Sequence, residues 1–193
     1  MTSFVLATAN PHKAEEIRAL LDGVVLLPRP EHVPEVVEDG DTLEENALLK
    51  ARALVSATGH AAIADDTGLF VDALGGRPGV WSARYAGENA TYADNVAKML
   101  GELAGVPAAQ RTARFRTVAA VAYPDESWFV VDGELEGVIT DDARGENGFG
   151  YDPIFAPTGL KGRTLAELTA AEKHALSHRG NAFRELAEAL AAR

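Results

Sequence analysis

The sequence predicts a single α/β domain built around a mixed β-sheet. Three observations carry that expectation. Short apolar runs alternate with capped helical patterns, a long hairpin occupies the second half of the chain, and no linker, repeat or low-complexity tract interrupts them.

The elements follow in order. Ser3-Phe4-Val5-Leu6-Ala7 reads as a first strand. Asn10-Pro11 then opens a helix, Asn10 as its N-cap and Pro11 at its first position, with Ile17, Leu20 and Leu21 on one face. Residues 24–27 form a second strand, stopped by Pro28 and Pro30. Thr42-Leu43-Glu44-Glu45 fits a capping box, which predicts a helix to about Thr58 with Gly59 as its stop. Thr91, with Asp94 three residues on, caps another helix reaching about Leu103. Residues 114–123 and 128–136 flank the turn Pro124-Asp125-Glu126-Ser127 and read as the hairpin. Thr169 starts a short helical turn toward Glu172. Ser177-His178-Arg179-Gly180 leads into a last helix with Phe183, Leu186, Ala187 and Leu190 at helical spacing.

Composition narrows the function. At 193 residues the chain is long enough for a substantial core. Twenty-nine acidic against 18 basic residues give a formal net charge of −11. That balance disfavours binding along a nucleic-acid backbone, where affinity comes from Lys and Arg on phosphates. A small anionic substrate is compatible if a metal and a local basic cluster receive it. The lack of cysteine excludes disulfides, thiolate metal sites and cysteine nucleophiles. No signal-peptide pattern or membrane-length apolar run is visible, so the expectation is a cytoplasmic protein with neither membrane nor nucleic acid as partner.

Residues 61–87, AAIADDTGLFVDALGGRPGVWSARYAG, are the chemically richest stretch. The apolar run 61–64 predicts a buried strand that ends on Asp65 and Asp66, with Thr67-Gly68 turning the chain. Carboxylates there are costly unless paired, and a hard cation such as Mg²⁺ is a natural partner; an acidic turn is the plain alternative. Glu38, in the loop before the second helix and without a capping role, is the candidate for a further ligand. A strand feeding a helix N-terminus presents N–H groups to an anion. Lys13 puts positive charge where the helix dipole favours negative, which fits a phosphate, a solvated surface lysine being the alternative. GENGFGYDPIF, residues 145–155, sets aromatic rings beside Asp152, suited to stacking on a base and reading its edge. Lys173 with Ser177-His178-Arg179 supplies donors for phosphate or carbonyl oxygens, unless His178 and Arg179 merely cap the last helix. A nucleoside triphosphate with Mg²⁺ would use all four clusters: Thr8/Asn10/Lys13, Glu38 with Asp65/Asp66, Phe149-Gly150-Tyr151-Asp152, and Lys173 with His178 and Arg179.

The segments ATANPHK (7–13), ENALLKA (45–51), ADDTGLFVDALGGRPGVWSARYAG (64–87), GFGYDPIF (148–155) and SHRG (177–180), in this order, closely resemble the inosine triphosphatase-like family of purine NTP pyrophosphatases, also called XTP/dITP diphosphatases. The resemblance implies a two-lobed α/β domain spanning residues 1–193, around a long mixed sheet with flanking helices and a nucleotide cleft between the lobes. It implies a homodimer. The implied reaction is NTP + H₂O → NMP + pyrophosphate, requiring Mg²⁺ and favouring ITP, dITP and XTP. By position, Thr8, Asn10 and Lys13 match the family's phosphate-binding segment, and Glu38 and Asp66 its metal ligands. Asp66 also matches the proton acceptor for the attacking water, with Asp65 beside it able to share that role. Thr67 stands where the family commonly has Ser in contact with substrate. Phe149, Gly150, Tyr151, Asp152, Lys173, His178 and Arg179 match its nucleotide-binding positions. Trp81 and Asn181 depart from the common pattern at the wall and rim of the implied cleft. An Arg179 donor aimed at the base O6 would favour hypoxanthine and xanthine over adenine, which carries a donor there. A nucleotide-binding sensor that does not hydrolyse is the alternative, as is a pyrophosphatase of the same fold acting on other modified nucleotides.

Overall fold

The computed structural model describes residues 3–193. The fold is α/β, with a mixed sheet and flanking helices. The elements are β1 (Ser3–Leu6), α1 (Pro11–Leu20), β2 (Val25–Leu27), α2 (Leu43–Thr58), β3 (Ala61–Val71), β4 (Pro78–Gly79), α3 (Tyr92–Glu102), β5 (Thr112–Ala122), β6 (Trp128–Ile139), β7 (Phe155–Pro157), α4 (Ala170–Leu176) and α5 (His178–Ala191). Among the described residues, seven strands form one sheet in the order β2-β1-β3-β5-β6-β7, with β4 paired to β3. β1 runs parallel to both β2 and β3, whereas β4 on β3 and β7 on β6 are antiparallel.

The helix starts follow the sequence. Asn10 caps α1 ahead of Pro11, and the Thr42/Glu45 and Thr91/Asp94 capping boxes open α2 and α3. Gly59 closes α2 in the left-handed conformation that a glycine adopts without a Cβ penalty.

Two expectations need correction. β3 does not end at Asp65-Asp66; it continues through Thr67-Gly68 to Val71. Gly68 is a strand residue, required by close approach rather than by a turn. A Cβ there would lie 2.8 Å from the Gly79 carbonyl oxygen of the paired β4. The expected 145–155 loop ends one residue early, since Phe155 opens β7, whose residues through Pro157 pair with Ile139 to Gly137.

The chain forms two compact units. The first comprises residues 3–66, 117–133 and 178–193. Phe4 and Leu6 of β1, Ala61 and Ile63 of β3, Ile17 and Leu21 at α1, and Phe183 and Leu186 of α5 pack together in its core. The second comprises residues 67–116 and 134–177, with Leu69, Val71, Met99, Phe115, Ile154 and Phe155 at its centre.

Candidate active site

In the first unit the geometry starts from β3. Successive strand residues point to opposite faces, so the adjacent Asp65 and Asp66 make different direct contacts. Their partners differ accordingly. Asp65 lies in register with Ala61 and Ile63, on the side of α1 and α5, and its Oδ2 accepts from Arg179 Nη2 at 3.2 Å and Nε at 3.4 Å. Lys13 Nζ stands 3.2 Å from the same oxygen. Arg179 Nη1 donates to Glu16 Oε2 at 2.6 Å, and only 2% of the Arg179 side chain is exposed. Asp66 faces α2 instead. Lys50 Nζ donates to its Oδ1 at 3.0 Å and Asn46 Nδ2 to its Oδ2 at 3.4 Å, while Lys50 also pairs with Glu38 at 3.3 Å.

These surroundings drive the two carboxyls apart. Burial alone would raise Asp65, but Lys13, Arg179 and Lys50 outweigh it and hold the group well below the usual carboxylate range. Burial raises Asp66, and Glu38 adds to the rise against the opposing pull of Lys50 and Lys13. Burial also lowers Lys13, whereas Lys50 is raised because Asp66 and Glu38 outweigh its burial.

The segment entering α1 is organised by Asn10. Its Oδ1 accepts from the N–H groups of His12 at 3.0 Å and Lys13 at 3.3 Å, and the Asn10 N–H donates to Thr8 Oγ1 at 3.2 Å. The N-cap therefore takes two of the N–H groups that the sequence assigned to an anion. At the start of α5, His178 Nδ1 shares a 2.7 Å hydrogen bond with Thr117 Oγ1. A Cβ on Gly133 would collide with the His178 carbonyl and the Ala182 nitrogen, so this glycine lets β6 approach the first turn of α5.

The second unit holds the aromatic cluster. Asp152 Oδ2 accepts from Lys173 Nζ at 2.7 Å and from the Phe149 N–H at 2.8 Å. The Lys173 ammonium lies 4.8 Å from the Phe149 ring centroid, and Tyr92 packs against the same ring with centroids 5.9 Å apart. Gly150 takes a positive φ of 64° in this turn. Tyr151 is buried and donates to the Ser82 carbonyl at 2.8 Å, which makes it part of the core rather than a stacking surface. Thr67 opens this unit's share of β3 and is half-buried.

The Ham1 family model matches residues 4–189. The chain belongs to the Ham1 family. This Ham1 chain is 52% identical over 187 residues to a dITP/XTP pyrophosphatase of Geobacter sulfurreducens, across 95% of this chain and 94% of the relative. It is 46% identical over 196 residues to a dITP/XTP pyrophosphatase of Bacillus subtilis, across 100% and 98% of the two chains. Among solved structures, a HAM1 protein from Coxiella burnetii matches with a TM-score of 0.90 at 41% identity, covering 100% of both chains.

Three residues in contact with these candidate side chains escaped the sequence reading: Glu16, Asn46 and Lys50. A signal existed, because Asn46 and Lys50 are four apart within the ENALLKA segment and share one helix face. Asp65 faces the opposite side of β3 from Asp66 and pairs with Lys13 and Arg179. The Arg179 guanidinium is engaged by two carboxylates, Glu16 and Asp65.

Proposed function

We propose that this Ham1 protein is a Mg²⁺-dependent nucleoside-triphosphate diphosphatase that cleaves ITP, dITP and XTP to the monophosphate and pyrophosphate, clearing them from the nucleotide pool. The carrying observation is the division of Asp65 from Asp66, one carboxyl bound by Lys13 and Arg179 and its neighbour by Lys50 and Asn46, an arrangement that gives adjacent carboxylates separate roles. The names of the relatives supply the substrates.

Asp66 accepts the proton of the attacking water, its carboxyl oriented by Lys50 and Asn46. Lys13, held by Asp65, stabilises the charge that builds on the departing pyrophosphate. Thr8 and Asn10 shape the turn that carries Lys13. Phe149 offers its ring to the base. Lys173, fixed by Asp152, supplies a donor suited to O6, with Gly150, Tyr151 and Asp152 forming the turn that presents them. His178 and Thr67 complete the nucleotide contacts, and Arg179 acts through Asp65 as a positioning residue.

The metal fits the donor set. Among the described residues no group of three or more His, Cys, Asp or Glu side chains is arranged to hold an ion. Glu38 and Asp66, however, already converge on a cationic group, and two carboxylates completed by water and phosphate oxygens is the usual provision for Mg²⁺. Bound there, Mg²⁺ would neutralise phosphate charge and polarise the phosphoryl group. A cytoplasmic homodimer is the assembly and compartment that accompany this reading. Among the described residues no helix is long and apolar enough to cross a membrane.

Hydrolysis in ¹⁸O-labelled water with Mg²⁺ and, separately, ITP, XTP, GTP and ATP tests the reading. The expected products from ITP and XTP are labelled monophosphate and unlabelled pyrophosphate, with little turnover of GTP or ATP. Orthophosphate with a nucleoside diphosphate would move the attack to the γ-phosphorus and overturn the mechanism. Binding without hydrolysis would leave a sensor.

A further inference from the structure

We propose that Lys50 is the built-in counter-cation of the Glu38–Asp66 pair, and that a divalent ion must displace its ammonium to be held by those carboxylates. The inference rests on the metal-dependent reading above. Lys50 Nζ lies 3.3 Å from Glu38 Oε1 and 3.0 Å from Asp66 Oδ1, on a side chain that is only 12% exposed. The carboxylates are held near one another independently of any ion, because α2 also carries Asn46. That side chain donates to Asp66, accepts from the Gly40 N–H at 2.9 Å and donates to the Gly40 carbonyl at 3.5 Å, anchoring the loop just past Glu38. Gly40 allows the anchor, since a Cβ would sit 2.7 Å from Asn46 Oδ1.

A doubly charged ion on the same oxygens would face the ammonium at contact distance, and like charges so close repel strongly. The two cations therefore compete. Lysine suits the part because its charge sits on a flexible four-carbon stem and can swing away, whereas the short Asn46 amide keeps the loop and β3 in register. The consequence is that the protein alone binds a divalent ion weakly. Glu38 and Asp66 stay compensated when none is bound.

Mn²⁺ is the probe, its free concentration read by electron paramagnetic resonance without nucleotide. Lys50→Met should bind Mn²⁺ roughly tenfold or more tightly than wild type, and Lys50→Arg, which keeps the charge, within about threefold. Lys50→Met should also melt lower without metal and regain the difference when Mn²⁺ is added. An unchanged or weakened Mn²⁺ affinity in Lys50→Met would overturn the proposal. Should that variant fail to fold, wild type decides the matter through acetylation by acetic anhydride, followed by mass spectrometry. Mn²⁺ should increase labelling of Lys50 by releasing its ammonium, and decreased or unchanged labelling would refute the competition. Loss of ITP hydrolysis in wild type would count against the proposed function, whereas unchanged Mn²⁺ affinity with hydrolysis intact would count against Lys50 alone.

Discussion

Replacing Arg179 by methionine removes the guanidinium that joins Glu16 to Asp65 while keeping most of the side chain's apolar stem. The site is deeply buried, with 2% of the Arg179 side chain, 1% of Asp65 and 12% of Glu16 exposed. Removing one member of a buried ion pair costs about 3–5 kcal/mol, mainly through the charge left behind. Lys13 at 3.2 Å still compensates Asp65, which places the cost near the lower end, about 3 kcal/mol. For a chain of this size that is a fall in Tm of roughly 6–12 °C. Calorimetry and urea unfolding at neutral pH measure it. A companion Glu16→Gln change in the Arg179→Met background should recover about 1–2 kcal/mol, because it removes the carboxylate that lost its partner. A Tm within about 2 °C of wild type, or a second change that adds its own full cost, would refute the account of a buried charge cluster.

Four further outcomes are expected. In the metal-free protein the Asp66 carboxyl should titrate above the 3.8 of an ordinary aspartate because it is buried, read from its carboxyl ¹³C chemical shift against pH. Asp65 contributes in the opposite sense: its stabilisation is present above 3.8 and is lost only as pH falls from there toward its depressed folded value, which acid-unfolding curves of wild type and Asp65→Asn would resolve. Gly133→Ala should cost about 1–3 kcal/mol by forcing β6 off the first turn of α5, measured by urea unfolding. Lys173→Met should raise KM for ITP and destabilise by about 3 kcal/mol or more, since Asp152 loses a buried ammonium partner; unchanged KM would remove Lys173 from the base contacts.

What the sequence made legible was local. Asn10-Pro11 and the boxes at Thr42 and Thr91 announce three helices because a cap is written within four residues of its helix. The passage of β3 through Asp65 and Asp66 was illegible for the opposite reason. Two charges break an apolar run, and the groups that make their burial tolerable are remote, Lys50 lying 16 residues from Asp66 and Arg179 lying 114 from Asp65. Gly68 read as a turn because a glycine required by a neighbouring backbone looks, in sequence, like one required by φ. The family resemblance named candidate positions and roles but not the ion pairs that hold them. Asp65 and Asp66 are neighbours in the chain, and only the pleat reveals that they belong to different neighbourhoods.

That pleat gives the Asp65-Asp66 dipeptide a parity. Deleting or inserting one residue between Ile63 and Asp65 would carry Asp65 toward Lys50 and Asp66 toward Arg179, exchanging the partners of the two carboxylates. A shift of two would restore the sides but move both carboxylates about 7 Å along the strand, out of reach of either cation. The segment from Ala61 to Asp66 thus resists length change of any kind, whereas the hairpin tip at 124–127 carries none of these carboxylates and is free to vary in length.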